Sequence, residues 1–353
     1  MASPLRRLTP RELADGAAEW PPLLDGAGLV DPLVVVDLDV PTGADTARRA
    51  AERAGSVDRL LVGVRTRGQV PPELAVLTEA LDTTLAPTGG RTVVPSADPA
   101  AALTLLQAAV TVHPQPVLVL GQVLRTSEHL SVDAALDVES YAYSTLLGGP
   151  DFAHWLGERG PRPLPPPAVR PPLLVRRAGD TLHLTLNRPE RRNAYGAQLR
   201  DSLVEALRLA VHEETLQVVL DGAGTSFCAG GDLDEFGTTP GPGTAHLVRT
   251  RGGAGRLLHR LAERTTVHLH GSCIGAGIEL PALAGRVLAH PGTVFRLPEV
   301  GMGLIPGAGG TASLPRRIGR WRAFHLCATG VALDAATALA WGLVDALTGD
   351  TVG

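Results

Sequence analysis

Two glutamates and a set of glycine-rich turns are the residues of this chain whose types and spacing suit chemistry. The segment GSCIGAGIEL at 271–280 is a Gly-rich turn opening a helix, with Glu279 three residues after Ala276. LPEVGMGLIPGAGGT at 297–311 carries Glu299, twenty residues beyond Glu279, and ends in a further glycine cluster. FCAGGDLDEF at 227–236 is another Gly-rich turn, LNRPERRNA at 186–194 precedes it, and WGLVDA at 341–346 follows them all. Carboxylates can exchange protons with a substrate, and glycine turns let main-chain amides approach a ligand closely. Singly, each feature is weak. A glycine turn serves packing equally well, and with 36 acidic residues one pair of glutamates is uninformative. The order and combination of the segments carry the weight.

Taken together, the segments resemble the crotonase (enoyl-CoA hydratase/isomerase) superfamily over about residues 173–347. LNRPERRNA is similar to the family's first loop, FCAGGDL to its first oxyanion turn and GAGIEL to its second. LPEVGMGLIPGAGGT resembles its second catalytic loop, and WGLVDA its downstream signature. The resemblance implies an acyl-CoA thioester whose carbonyl oxygen gains negative charge during reaction. Two amide N–H groups, those of Gly231 and Ala276, are expected to stabilise it by about 3–4 kcal/mol per donor. Ala276 stands where most members carry glycine; its methyl leaves the N–H in place and narrows the pocket. The helix starting near Ala276 is expected to add its positive dipole end.

Glu279 and Glu299 match one for one the two glutamates of the family's hydratases. Two carboxylates around one water can divide the work, one accepting a proton and the other delivering one to Cα. Crowding them in a dry pocket separates their pKa values, which suits opposite roles. Isomerases of the family generally keep the glutamate resembling Glu299 and lack the other, so the pair favours hydration or dehydration of an enoyl- or 3-hydroxyacyl-CoA. For the coenzyme, the resemblance points to Arg191, Arg192 and Ala194 on the first loop, and to Ala229, Asp232 and Leu233 beside Gly231. Guanidinium groups suit phosphates, although plain solvated charge explains Arg191 and Arg192 equally well. Gly309 and Gly310 are expected along the acyl pocket, with Arg249 and Arg251 near its mouth. No permanently bound cofactor and no metal are implied, the CoA being part of the substrate.

Elements must position these residues. The C-terminal part alternates strand and helix: a strand at 181–186, then a helix with Leu199, Leu203, Leu207 and Val211 at spacing four. Further strands are expected at 218–220 and 266–270, a helix at 255–264, and a helix around Glu279. The expected fold class is therefore α/β, with a crotonase-type ββα superhelix at the C-terminal end. Residues 161–172, PRPLPPPAVRPP, hold seven prolines in twelve positions and read as a semi-rigid linker. That divides the chain into an N-terminal module over 1–160 and a catalytic domain over 173–353. The module also reads as α/β, with strands at 33–40 and 60–64, helices at 46–54 and 100–112, and a helix pair at 131–157 broken at Gly148–Pro150. Only seven residues follow Ala346, whereas most crotonases continue into helices that cover the site. ESYAYSTLLGG and the PDF and HWL that follow it are themselves similar to those terminal helices. The expectation is a smaller, degenerate crotonase-like module whose 131–157 helices cap the catalytic domain; loss of the cap by gene truncation is the alternative.

Composition excludes several other chemistries. All 32 cationic residues are arginine, so neither a Schiff-base lysine nor a P-loop lysine exists. The net charge of −4 offers no basic excess for nucleic acid. Three well-separated cysteines form no zinc motif or disulfide framework. Cys228 reads as a buried hydrophobe, and His268 and His270 as structural residues. The first residues, MASPLRRLTP, lack the apolar core of a secretory signal, and no apolar run is long enough for a membrane helix. A cytoplasmic homo-oligomer, a trimer or hexamer by resemblance, is expected, with a place in secondary metabolism suggested by the unusual architecture. Two other functions compete. One is a cofactor-free dioxygenase acting on an arylacetyl-CoA, similar to the 3,5-dihydroxyphenylacetyl-CoA dioxygenases; Glu279 counts against it. The other is a non-catalytic subunit that binds acyl-CoA.

Overall fold

The computed structural model describes residues 5–25 and 28–349. The chain forms two compact units, one of residues up to Arg125 plus Ile318–Thr329, the other of Thr126–Arg317 plus the residues from Gly330 on. Among the described residues no single helix is long and apolar enough to cross a membrane.

The first unit is built on a parallel sheet of β1 (Arg6–Leu8), β4 (Leu33–Asp37), β5 (Leu60–Val64), β6 (Thr83–Ala86) and β7 (Val93–Pro95), in that order. β2 (Leu24–Asp25) and β3 (Gly28–Leu29) pair separately as a small antiparallel ribbon. LVVVD and LLVGV are unbroken apolar runs because parallel strands are covered on both faces. Helices α1 (Pro10–Ala14), α2 (Ala44–Ala54) and α3 (Ala75–Ala80) connect the strands. α4 (Pro99–Val112) and α5 (Pro114–Ser127) close the run, Pro114 starting a helix as N1 prolines do rather than only ending the one before. The late helix Arg320–Thr329 packs on α4, β6 and β7, where Arg320 donates to Leu81 O at 2.9 Å and Arg322 to Val93 O at 3.0 Å.

The second unit begins with α6 (Val132–Leu147) and α7 (Pro150–Arg159). Its main sheet has the order β16-β13-β11-β10-β9-β8. The strands are β8 (Leu173–Ala178), β9 (Thr181–Leu186), β10 (Gln217–Gly222), β11 (Thr265–Leu269), β13 (Arg286–Ala289) and β16 (Ala346–Leu347), all parallel but for the β8–β9 hairpin. α8 (Ala197–His212) buries Leu199, Leu203 and Leu207 against β8, β9 and α10 (Gly255–Arg260); Val211 lies only partly buried and Ala210 takes the inner position. A small sheet joins β12 (Ser272–Ile274), β14 (Val294–Arg296) and β15 (Leu333–Asp334). α9 (Pro242–Arg251), α11 (Ala276–Glu279) and α12 (Gly310–Ile318) complete the surroundings of the site.

The boundary expected at the proline-rich stretch is corrected. The units part after Arg125, and residues 161–172 run inside the second unit. Ala168 N donates to Gln198 Oε1 at 2.7 Å, and Gln198 Nε2 to Pro166 O at 3.1 Å, so α8 holds the segment down. The reason lies in the apolar face of α6, which packs on α9 and α10, while α7 packs on the turn that begins at Glu299. A helix does lie around Glu279 and starts at Ala276, as expected. α11 is a single turn, and Pro281 follows it because a proline cannot continue the hydrogen-bond ladder. Its contribution is therefore its own free N–H groups rather than a long-helix dipole.

Candidate active site

The turns after β10 and β11 run side by side. Ile274 N donates to Cys228 O at 3.0 Å, and Cys228 N to Ser272 O at 3.2 Å. Only glycine lets them approach so closely, since a Cβ on Gly277 would lie 2.3 Å from Cys228 O. Gly275 has φ +49°, which favours glycine, and it turns the chain so that α11 starts at Ala276. Neither the Gly231 nor the Ala276 N–H has a protein acceptor among the described residues. Both residues line one cavity of about 200 Å³, together with Glu279, Glu299, Gly309 and Arg249.

The two glutamates enter this cavity from different elements. Glu279, at the end of α11, is 2% exposed; its Oε2 accepts from Ala308 N at 2.7 Å and Gly310 N at 2.9 Å. Glu299 starts the 3-10 turn Glu299–Met302, and its buried Oε2 has no partner among the described residues. A Cβ on Gly275 would sit 2.5 Å from Glu299 Oε1 and 3.7 Å from Glu279 Oε1, so both oxygens face the same glycine. α7 supports the Glu299 turn closely: a Cβ on Gly303 would lie 2.4 Å from Phe152 N. Burial pushes the Glu279 carboxyl up to about 7 against the pull of its amide partners. Burial, and then the charge of Glu279, hold Glu299 well above the usual carboxylate range.

A third acid lies in the same lining and was missed in the sequence. Glu139 of α6 is 2% exposed; Gly309 N donates to its Oε1 at 2.7 Å, and Thr311 N and Oγ1 donate to its Oε2 at 2.7 and 2.8 Å. Burial and the neighbouring Glu279 push its pKa up to about 8. A readable signal existed: Glu139 interrupts the apolar stripe Val132, Ala135, Leu136, Leu146, where an acid has no reason to lie unless it is used. Tyr143 and Tyr195 also line the cavity, and the Arg249 guanidinium stacks 4.4 Å from the Tyr143 ring centroid. Arg249 further donates to Ser140 O at 3.2 Å, and its three polar contacts are all to neutral groups of α6.

Other expected residues lie elsewhere. Arg251 points outward, 61% exposed, with Asp137 at 3.7 Å, because the residue two along from Arg249 falls on the opposite side of α9. Gly310 stands behind Glu279 as its amide donor rather than in the lining. Arg191, Arg192, Ala194, Ala229, Asp232 and Leu233 form the neighbouring loops and do not line the cavity. The Arg191 fork is taken by Asp232 at 2.6 and 2.9 Å and by Asp234 at 2.7 Å, which also raises its pKa. Arg192 is exposed. Cys228 is buried, its thiol pushed up to about 12 by burial.

Comparisons with known proteins match the C-terminal half of the chain. The family model described as enoyl-CoA hydratase/isomerase matches residues 177–352. The 2,3-dehydroadipyl-CoA hydratase of Escherichia coli K12 is 36% identical over 173 residues, 49% of this chain and 67% of that protein. The 1,2-epoxyphenylacetyl-CoA isomerase of the same organism is 36% identical over 46% of this chain, which spans 63% of that relative's length. A solved enoyl-CoA hydratase from Thermoplasma volcanium aligns over 51% of this chain and 72% of its own, with 30% identity and a TM-score of 0.47. On this sequence match the chain belongs to the enoyl-CoA hydratase/isomerase family.

Proposed function

We propose that the chain adds water to an enoyl-CoA thioester, or removes it from the 3-hydroxyacyl-CoA. The single observation that carries this reading is the convergence of Glu279 Oε1 and Glu299 Oε1 on Gly275. The thioester oxygen sits at the Gly231 and Ala276 N–H groups, which take up the charge of an enolate without reorganising. Glu279, with a pKa near neutrality and one oxygen held by two amides, accepts the proton of a water as its oxygen bonds to Cβ. Glu299, whose pKa burial and the charge of Glu279 raise, delivers a proton to Cα. Cα=Cβ is thereby replaced by C–H and C–OH, and proton exchange with solvent restores both acids. The first unit, whose five parallel strands follow chain order as the consecutive strands of the second sheet do, fits a degenerate second copy of the same winding.

The test is incubation with crotonyl-CoA, with loss of enoyl absorbance followed and the product identified by NMR. Hydration that falls about 10²- to 10⁴-fold in both E279Q and E299Q, with butyryl-CoA still bound, is the expected result. Migration of the double bond with no 3-hydroxyacyl product assigns isomerisation instead. Oxygen uptake with an arylacetyl-CoA that is indifferent to E279Q assigns the oxygenase chemistry, and binding without turnover assigns a carrier subunit.

A further inference from the structure

The loop that holds Glu279 is gripped from two sides. Ala308 and Gly310 give their N–H groups to Glu279, while the intervening Gly309 and the following Thr311 give theirs to Glu139. The two carboxylates thus take alternate amides of one short segment, immediately at the start of α12. Glu139 comes from α6, which precedes the catalytic core in the chain by the whole proline-rich segment and β8. Every partner of its two oxygens is a donor, the Thr311 hydroxyl included, and these bonds oppose the upward push of burial and of Glu279 on its pKa. α6 is itself anchored beside the site, since Arg256 of α10 donates to Asp133 O at 3.0 Å and lies 2.7 Å from Asp137.

We infer that Glu139 is a positioning residue for Glu279: by clamping Gly309 and Thr311 it sets the orientation of the Ala308 and Gly310 amides, and through them leaves Glu279 Oε1 turned toward the reacting water. The inference rests on the hydratase reading for the role of Glu279. The clamp itself does not depend on that role. Glu139 has no contact with the water in this role, and the cost of losing it is misplacement, which reaches about a hundredfold in rate for shifts of an ångström.

The ionisable groups around the pair are known. Tyr143 of α6 and Glu299 of the 299–302 turn face both Glu279 and Glu139, Cys228 of the first glycine turn faces Glu279, and Arg249 of α9 faces Glu139. Whatever negative charge Glu139 carries repels the Glu279 carboxylate, so taking that charge away lowers the Glu279 midpoint or leaves it unmoved. Losing the clamp has the opposite sign, because the amides that favour ionised Glu279 are displaced. The sign therefore separates a positioning role from a purely electrostatic one.

The experiment uses the full chain as wild type, E139Q, E139D and, as a control for loosening α6, L146A. Glutamates labelled with ¹³C at Cδ are titrated by NMR, the Glu279 resonance being the one lost in E279Q, and crotonyl-CoA hydration and thermal unfolding are measured on the same samples. The expected result is an upward shift of the Glu279 midpoint in E139Q with a kcat loss of about a hundredfold. E139D recovers part of both, and L146A lowers the unfolding temperature with the midpoint unmoved. An unmoved or lowered Glu279 midpoint in E139Q overturns the inference, as does L146A reproducing the whole effect. If no variant, wild type included, hydrates crotonyl-CoA, the hydratase reading fails, while the NMR titration still decides whether Glu139 orients Glu279.

Discussion

Glu139 and Glu279 lie 140 positions apart in sequence and divide the amides of residues 308–311 between them, odd-numbered to the first and even-numbered to the second. Ala308 and Gly310 both donate to Glu279 Oε2, so the lone pairs that could accept a substrate proton are those of Oε1. Glu299, by contrast, has a buried oxygen with no partner among the described residues, the state of a group poised to act on a molecule that is not protein.

The pH dependence of hydration follows from these environments. Glu279 must be ionised to accept a proton, and its pKa stands at about 7. Activity is expected to fall tenfold per unit as pH drops below that value, and an alkaline limb follows where Glu299, its pKa raised by burial and by Glu279, gives up its proton. Measured kcat/KM for crotonyl-CoA from pH 5 to 9 checks this; a flat acid limb would contradict the assignment of Glu279 as base.

Gly275→Ala should separate activity from thioester binding. The new methyl meets Glu299 Oε1 at 2.5 Å, at a φ of +49° that costs about 1–3 kcal/mol for a non-glycine residue. Glu299 is displaced, and hydration is expected to fall at least a hundredfold, with butyryl-CoA affinity changed far less. Calorimetric binding and kinetics on one preparation test the split.

Arg191 and Arg192 should respond differently to alanine. Arg191 is committed to Asp232 and Asp234, so its loss unpins the first loop from the 232–234 turn and lowers the unfolding temperature. Arg192 is exposed, and if it meets a CoA phosphate its removal raises KM about two- to fivefold with kcat unchanged, an effect that fades in high salt. Equal KM for R192A and wild type at low salt would remove Arg192 from the coenzyme site.

His325 predicts an acid sensitivity in the first unit. The side chain is buried, its Nδ1 has no partner among the described residues, and burial lowers its pKa from the ordinary 6.5 of a histidine to about 4. The folded state therefore binds fewer protons than the unfolded one between these values. Its contribution to stability is present above pH 6.5 and is lost as pH falls toward 4, at up to about 1.4 kcal/mol per unit. Urea unfolding at pH 7, 6 and 5 should show this loss in wild type and less of it in His325→Met.

Much of the site is local and could be read from the chain alone. Glycines at 230, 231, 275 and 277 mark turns because the backbone there needs positive φ or a contact closer than a Cβ permits, as at Gly275 and Gly277. Alternation in TLHLTL announces a half-buried strand, and the spacing of Leu199, Leu203 and Leu207 a helix face. Glu279 and Glu299 follow β12 and β14, and the pairing of those two strands brings them together; along the chain only the family resemblance joined them. Pairings between distant segments are another matter, because nothing in a periodic pattern names its partner. Only the tertiary structure brings Glu139 to Gly309 across 170 positions, commits Arg191 to Asp232, and assigns α6 and α7 to the second unit although a proline-rich stretch separates them from its strands. Those outcomes depend on which apolar faces and buried charges find each other when the core closes, and burying an ionisable group costs least where a matching donor or acceptor arrives from elsewhere in the fold.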